Sequence, residues 1–425
     1  MMKALLILLA AFCLKATFTS AQETDTVFIQ KFLESHPEYF QHILNHPDKN
    51  QVQILYTQID RDQSNKPTFT SYSYRVDPNW YFYPASTVKL PTVIFALEKI
   101  NELNIPELNK FTWLEIDSAF DKQTKVTEDL TSTSGKPSLA HYIKKSLLVS
   151  DNDAHNRLFE FVGRNRLNRR LQESGTKNSR IVNRLAVGDS GIHSKHSNPF
   201  CFYNELGAVI YKQKPQFDSL DYNFPNLNHV IQGQAYMNDQ DEIIHEPWSF
   251  ENLNVFSIED QQLILKKLLF PESFPEHERF NLTQEDYEFI YYYMSRFPQE
   301  VESPAYDKED YWPTYSKFIY FGRDKSLSPN GTIRSFNKYG DSYGYNIDNS
   351  YIVDFENNIE FLLTVVVQSN ENGVYNDGIY EYETVTYPFL KNLGKTIYEY
   401  ELKRQKKNHP DLSKFKLRGF KEVLN

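Results

Sequence analysis

Ser86 and Lys89 stand three residues apart at the front of the stretch YPASTVKLPTVIFALEKIN, residues 83–101. A serine hydroxyl is a weak nucleophile at neutral pH and needs an adjacent base. A lysine held partly out of water can be that base once its pKa falls. Positions i and i+3 share a helix face, and Val93, Ile94, Leu97 and Ile100 continue the run at helical spacing. The spacing alone is not selective, because it recurs at Ser174/Lys177, Ser335/Lys338 and Ser413/Lys416. Only the match at Ser86 opens a long apolar helical run.

Two further short motifs follow in chain order. Ser150-Asp151-Asn152 lies between the helical stretches LAHYIKKSLLV and DAHNRLFEFV, where by itself it reads as a helix cap. Lys338-Tyr339-Gly340 closes a candidate strand, where by itself it reads as a strand end before a turn. His193 and His196 sit in a loop without a nearby cysteine and without helical i, i+4 spacing, so no metal site is expected. No organic cofactor is expected either.

The elements that must hold these motifs can be read from periodicity. Residues 25–44 have a helical pattern, and residues 51–60 and 68–76 alternate as a β-hairpin. From 101 to about 322 the pattern is almost wholly helical or irregular, with residues 233–247 reading as a hairpin or an irregular excursion with a polar tip. Helices are expected at 139–149, 153–162, 257–270 and 282–294, the last opened by Thr283 with Asp286 three residues on. Residues 172–199 read as a long loop. Strands return at 332–339, 351–355 and 361–368, before a final helix over about 378–404. The expected fold class is α+β, an α/β sandwich. One antiparallel five-stranded sheet comes from the two chain ends, is flanked by the first and last helices, and packs on an all-α lobe. Residues 22–425 are then a single domain, with an α/β lobe over about 25–80 and 323–405 and a helical lobe with an insertion over about 86–322.

The chain has 425 residues and a formal net charge of −10, which argues against nucleic acid as a partner, since phosphate binding needs a basic footprint. Residues 1–21 combine a basic start, the apolar segment ALLILLAAFCL and small residues before Gln22. They read as a cleaved signal peptide, so an exported, periplasmic or secreted protein is expected. Cys13 follows Phe12 rather than a small residue, which speaks against a lipidated N-terminus. After cleavage Cys201 is the one cysteine left, so no intrachain disulfide can form. No later apolar run is long enough for a membrane span.

Ser-x-x-Lys, Ser-Asp-Asn and Lys-Tyr-Gly in this order, each on a fitting element, make the sequence resemble the serine β-lactamases and penicillin-binding proteins. The resemblance is strongest to the class A β-lactamase-like serine hydrolases and covers about residues 51–400. It implies an acyl-enzyme formed on Ser86, with Lys89 as base and its pKa pressed down by burial and by Lys338. It also implies that Ser150 relays a proton to the departing nitrogen and that Asn152 holds Lys89 and a substrate amide. Tyr339, Gly340 and Asp341 would line the substrate, with the N–H groups of Ser86 and Asp341 as oxyanion hole. The implied partner is a small-molecule β-lactam or a peptidoglycan peptide.

Three departures bear on substrate and turnover. Tyr339 is bulky where the family has Thr or Ser. The family's loop glutamate, which activates the deacylating water, has no counterpart in SRIVNRLAVGDSG, residues 179–191, where Asp189 and the more distant Glu173 are the nearest acids. The segment from Ser150 to Lys338 is longer than the resemblance leads one to expect, with the excess placed between about 202 and 322. Three readings stay open: a hydrolase with real turnover on β-lactams, a penicillin-binding-type D-Ala-D-Ala peptidase or acyltransferase with slow release, and a non-catalytic envelope-binding protein.

Overall fold

Five strands make one antiparallel sheet in a computed structural model that describes residues 26–188, 191–223 and 226–417. They are β1 (Gln53–Arg61), β2 (Pro67–Tyr74), β3 (Ile333–Ser342), β4 (Tyr345–Asp354) and β5 (Ile359–Gln368), in the order β3-β4-β5-β1-β2. Strand β1 pairs with β5, Gln53 opposite Val366, so the sheet joins the two chain ends as expected. The expected export signal and Asp189 lie outside the described residues.

Alternation along the strands sends side chains into two cores. Ile29, Leu33 and Phe40 of helices α1 (Val27–Glu34) and α2 (Pro37–Asn45) pack with Phe361, Leu363 and Val365 of β5 on one face, together with Leu393 and Ile397. Leu393 and Ile397 belong to the last helix. On the other face Phe336, Tyr351 and Leu362 meet the helical lobe. That lobe contains α3 (Lys89–Leu103), α4 (Leu139–Leu148), α5 (Asn152–Val162), α6 (Arg164–Glu173), α7 (Ile258–Leu269) and α8 (Gln284–Ser295). The last helix, α9, is Tyr387–Lys403. From Lys89 to Ile100 every residue of α3 is buried, the charged Lys89, Glu98 and Lys99 included. The Thr283/Asp286 capping box forms as expected, and Ser257 caps α7 by accepting from the Asp260 N–H.

Several expectations are corrected. The first helical stretch is two helices, broken before Pro37, which lacks a backbone donor and opens α2. The second late strand begins at Tyr345 rather than 351. The last helix starts at Tyr387, after a π-helical turn over Tyr382–Thr386.

The region expected to be almost wholly helical or irregular also holds short strands, one pair of them within the hairpin-like stretch 233–247. Ser179–Arg180 pairs with Val255–Phe256, a clasp that closes an excursion over residues 181–254. Within it Ile231–Gln232 pairs with Trp248–Ser249, and Ala235–Met237 with Ile243–Ile244. Ala235–Met237 also pairs in parallel with Val374–Tyr375, which ties the excursion to the end of the main sheet.

Candidate active site

Ser86 lies in a 3-10 turn, Ala85–Val88, that runs directly into α3. In such a turn residues three apart stack on one line, so Ser86 and Lys89 share a side. Ala85 is held at φ 46°, a left-handed conformation that is costly for a residue with a Cβ. Ser86 is half-buried, whereas Lys89 is 0% exposed.

Ser150 brings the second motif onto Lys89. The Lys89 ammonium donates to the Ser150 carbonyl, to Ser150 Oγ at 3.0 Å and to Asn152 Oδ1 at 2.7 Å. Lys338 Nζ reaches the same Ser150 Oγ at 2.8 Å, so one hydroxyl stands between two lysines. Asp151 faces the other way and caps α5, accepting from the Ala154 N–H at 2.8 Å. The tripeptide is thus a helix cap and a site element at once. Ser150 itself has φ 62°, a second left-handed residue at this place.

Strand β3 supplies the third motif from the sheet edge. Gly340 is packed so closely that a Cβ there would lie 2.8 Å from Pro84 O and 2.9 Å from Ser86 N. Only glycine lets the strand approach the serine this far. Tyr343 and Gly344, at φ 55° and 81°, form a two-residue turn of type I′ between β3 and β4. The flanking pair Ser342 and Tyr345 exchanges both ladder bonds, so the N–H groups of Tyr339 and Asp341 face the open edge.

The side chain of Tyr339 is not where the sequence reading put it. Neighbours on a strand point to opposite faces, and Lys338 takes the one toward the helical lobe. Tyr339 goes to the other face, 3% exposed, 4.5 Å from the ring of Phe318, with its hydroxyl on Val149 O at 3.4 Å. Its backbone, rather than its hydroxyl, is what the strand edge offers. The Asp341 carboxylate likewise turns aside, to Arg323 at 2.7 Å.

Burial sets the electrostatics. It lowers Lys89 to about 7, against the opposing pull of Asp151 and Asp341. It presses Lys338 well below the ordinary lysine range, helped by the charge of Lys89. His155, one turn along α5 from Asn152, is fully buried and kept neutral by burial and by both lysines. Neither of its ring nitrogens has a hydrogen-bond partner among the described residues. Its helix spacing to Asn152 was visible in the sequence, but nothing there marked Arg323.

Of the acids weighed as deacylating bases, Glu173 is engaged and Asp189 lies outside the described residues. Glu173 pairs with Arg170 at 2.7 Å at the end of α6. Among the described residues the carboxylates that act on Lys89 are those of Asp151 and Asp341, both committed as above. The loop after the clasp is pinned by Asn156, whose side chain donates to Leu185 O at 2.9 Å and accepts from Leu185 N at 2.8 Å. No group of three or more potential ligands for a metal exists among the described residues. No helix among them is long and apolar enough to cross a membrane.

Residues 38–206 match the beta-lactamase enzyme family. Similar solved structures include a beta-lactamase from Sphaerobacter thermophilus, 12% identical with a TM-score of 0.46, the match covering 88% of this chain and 98% of that one. PBP-A is 13% identical with a TM-score of 0.46, over 90% and 100% of the two chains. A beta-lactamase from Streptosporangium roseum is 13% identical with a TM-score of 0.46, over 88% and 99%. No curated protein matches the chain. The matched stretch, residues 38–206, carries Ser86, Lys89, Ser150 and Asn152, so it is over these residues that the chain is similar to the beta-lactamase enzyme family.

Proposed function

We propose that the protein is a serine acyl-enzyme that opens β-lactam or related amide bonds through Ser86 and releases the acyl group slowly. The observation that carries this reading is the Ser150 hydroxyl bridging Lys89 and Lys338 beside a half-buried serine. Ser86 Oγ attacks the acyl carbon and gives its proton to neutral Lys89. The N–H groups of Ser86 and Asp341 receive the oxyanion. Ser150, in contact with both amines, passes a proton to the departing nitrogen as the carbon–nitrogen bond breaks. Burial keeps Lys89 neutral, and Lys338, on the same Ser150 hydroxyl, is placed to donate to an anionic group of the substrate.

The slow second step is supported by the engagement of Glu173, Asp151 and Asp341. Without a general base the attack of water on the ester loses roughly 10²–10⁴-fold. This favours a penicillin-binding-type peptidase or acyltransferase of an exported, cell-wall-directed kind over an efficient β-lactamase. A fluorescent penicillin tests both halves. Covalent labelling that Ser86→Ala abolishes supports the acyl-serine, and a folded wild type that stays unlabelled at high probe concentration refutes it. Label that persists for hours fits slow release, whereas loss within seconds marks true turnover.

A further inference from the structure

Beside the serine the excursion over 181–254 builds a wall of aromatic rings. Tyr83, three residues before Ser86, lies 4.9 Å from Tyr343, two residues past Asp341. Tyr343 in turn meets Trp248 at 5.4 Å and Phe250 at 5.7 Å, and Trp248 meets Tyr236 at 5.0 Å. Ala85, the neighbour of Ser86, belongs to the same cluster. The wall therefore begins at the candidate nucleophile and runs outward past the end of β3.

Two features separate this cluster from ordinary core. Phe250 is fully buried, yet Tyr83, Tyr236, Trp248 and Tyr343 keep part of their surface in water, and Ile231 and Ile243 beside them are exposed. Tyr343 also occupies the first central position of a type I′ turn at φ 55°, where Asn or Gly is favoured and a bulky residue is an outlier. A ring is kept there against the preference of its own backbone, at the site's rim. The charge of Asp239, from the turn between Ala235–Met237 and Ile243–Ile244, acts on it.

We infer that this wall, resting on the acyl-serine reading, is a subsite for an aromatic or otherwise flat apolar side chain on the acyl part of the substrate. A ring laid across the water-facing surfaces of Tyr343 and Trp248 would bury apolar surface against both. Asp239 would oppose a carboxylate on that side chain.

The test compares benzylpenicillin, which carries a benzyl side chain, with 6-aminopenicillanic acid, which has none. Acylation of the wild type should favour benzylpenicillin by about tenfold or more, the usual scale for one good aromatic contact. Tyr343→Asn and Trp248→Ala should each bring that ratio down several-fold. Asn suits the turn and offsets part of the lost ring packing, and a melt of Tyr343→Asn that stays cooperative separates a lost subsite from a lost fold. Equal rates in the wild type, or a preference that survives both substitutions, would overturn the inference. Direct binding to Ser86→Ala, measured by calorimetry with the same two compounds, needs no chemistry. A benzyl preference there that Tyr343→Asn removes upholds the subsite even if the wild type is never acylated, in which case the acyl-serine reading alone fails. Equal binding overturns the subsite.

Discussion

Gly340 lies against Ser86 at a distance no other residue could keep, since a Cβ on it would come to 2.9 Å of the serine's backbone nitrogen. The contact is with backbone on both sides, Pro84 O being the other atom, so relief requires the strand or the 3-10 turn to move. Gly340→Ala should therefore displace β3 from the serine and slow acylation by roughly 10²-fold, as misplacements of about 1 Å do. It should cost about 1–3 kcal/mol in stability, the usual penalty of overpacking. Penicillin-labelling rates and denaturant melts on the same preparation read the two effects.

The acid limb of acylation should reflect Lys89. With its pKa at about 7, the amine is half neutral at that pH and about one-tenth neutral at pH 6. The rate should rise as pH increases through 7 and then level off. Lys89→Arg keeps the charge at every pH and should remove labelling across the whole range. A rate-against-pH profile from pH 5 to 9 shows whether the limb lies there. The same shift favours folding at higher pH: between about 7 and 10.5 the unfolded lysine holds a proton that the folded one lacks, so stability gained from this group rises across that window.

Removal of the Ser150 hydroxyl takes away the contact of both lysines at once. Ser150→Ala should lower acylation by about 10²–10⁴-fold through loss of proton transfer. The lost hydroxyl partner should leave Lys89 and Lys338 to repel one another more directly. Mass spectrometry of the penicillin adduct over time, with a melt as control, distinguishes a slowed reaction from a lost fold.

Far from the serine, Arg61 and Glu360 make a bidentate pair at 2.6 and 2.7 Å, both side chains under 5% exposed. Tyr351 adds a third contact to the same carboxylate at 2.7 Å. Arg61→Met leaves a buried carboxylate without its cation and should cost about 3–5 kcal/mol. Labelling of the folded fraction should be unchanged. Urea unfolding monitored by circular dichroism measures the first effect.

Much of this architecture was legible in the chain, and the exceptions have physical causes. The run at 361–368 and the hairpin at 51–76 carry apolar alternation or continuous apolar stretches, and both became strands of the main sheet. The front half of β4 did not announce itself, because Asn346, Asp348, Asn349 and Ser350 are buried polar residues. They are tolerated inside the sheet through partners: Asp348 accepts from Asn337 at 2.8 Å, and Asn349 donates to Gln261 O at 2.8 Å. The short strands of the excursion span only two or three residues in several cases, too few for a period to appear.

At the site the residue types and order were visible, while their meeting was not. Nothing in the spacing of Lys89, Ser150 and Lys338 says that one hydroxyl will touch two amines; that depends on α3, α5 and β3 packing together. The placing of Tyr339 could have been foreseen from strand alternation, since it follows Lys338 directly and must point the other way. The aromatic wall was hidden for a different reason. Tyr83, Trp248 and Tyr343 come from three distant places, and each alone resembles any other ring in an aromatic-rich chain.

The central pairing of β1 with β5 has a consequence for how the molecule comes into being. Gln53 must wait for Val366, so a nascent chain carries the β1–β2 hairpin with one unsatisfied edge until nearly all of the remainder has been made. Pairing over such separations is slow, and bare strand edges invite association with other chains. Truncation anywhere before β5 removes the partner that covers β1, and with it the floor on which α7 rests.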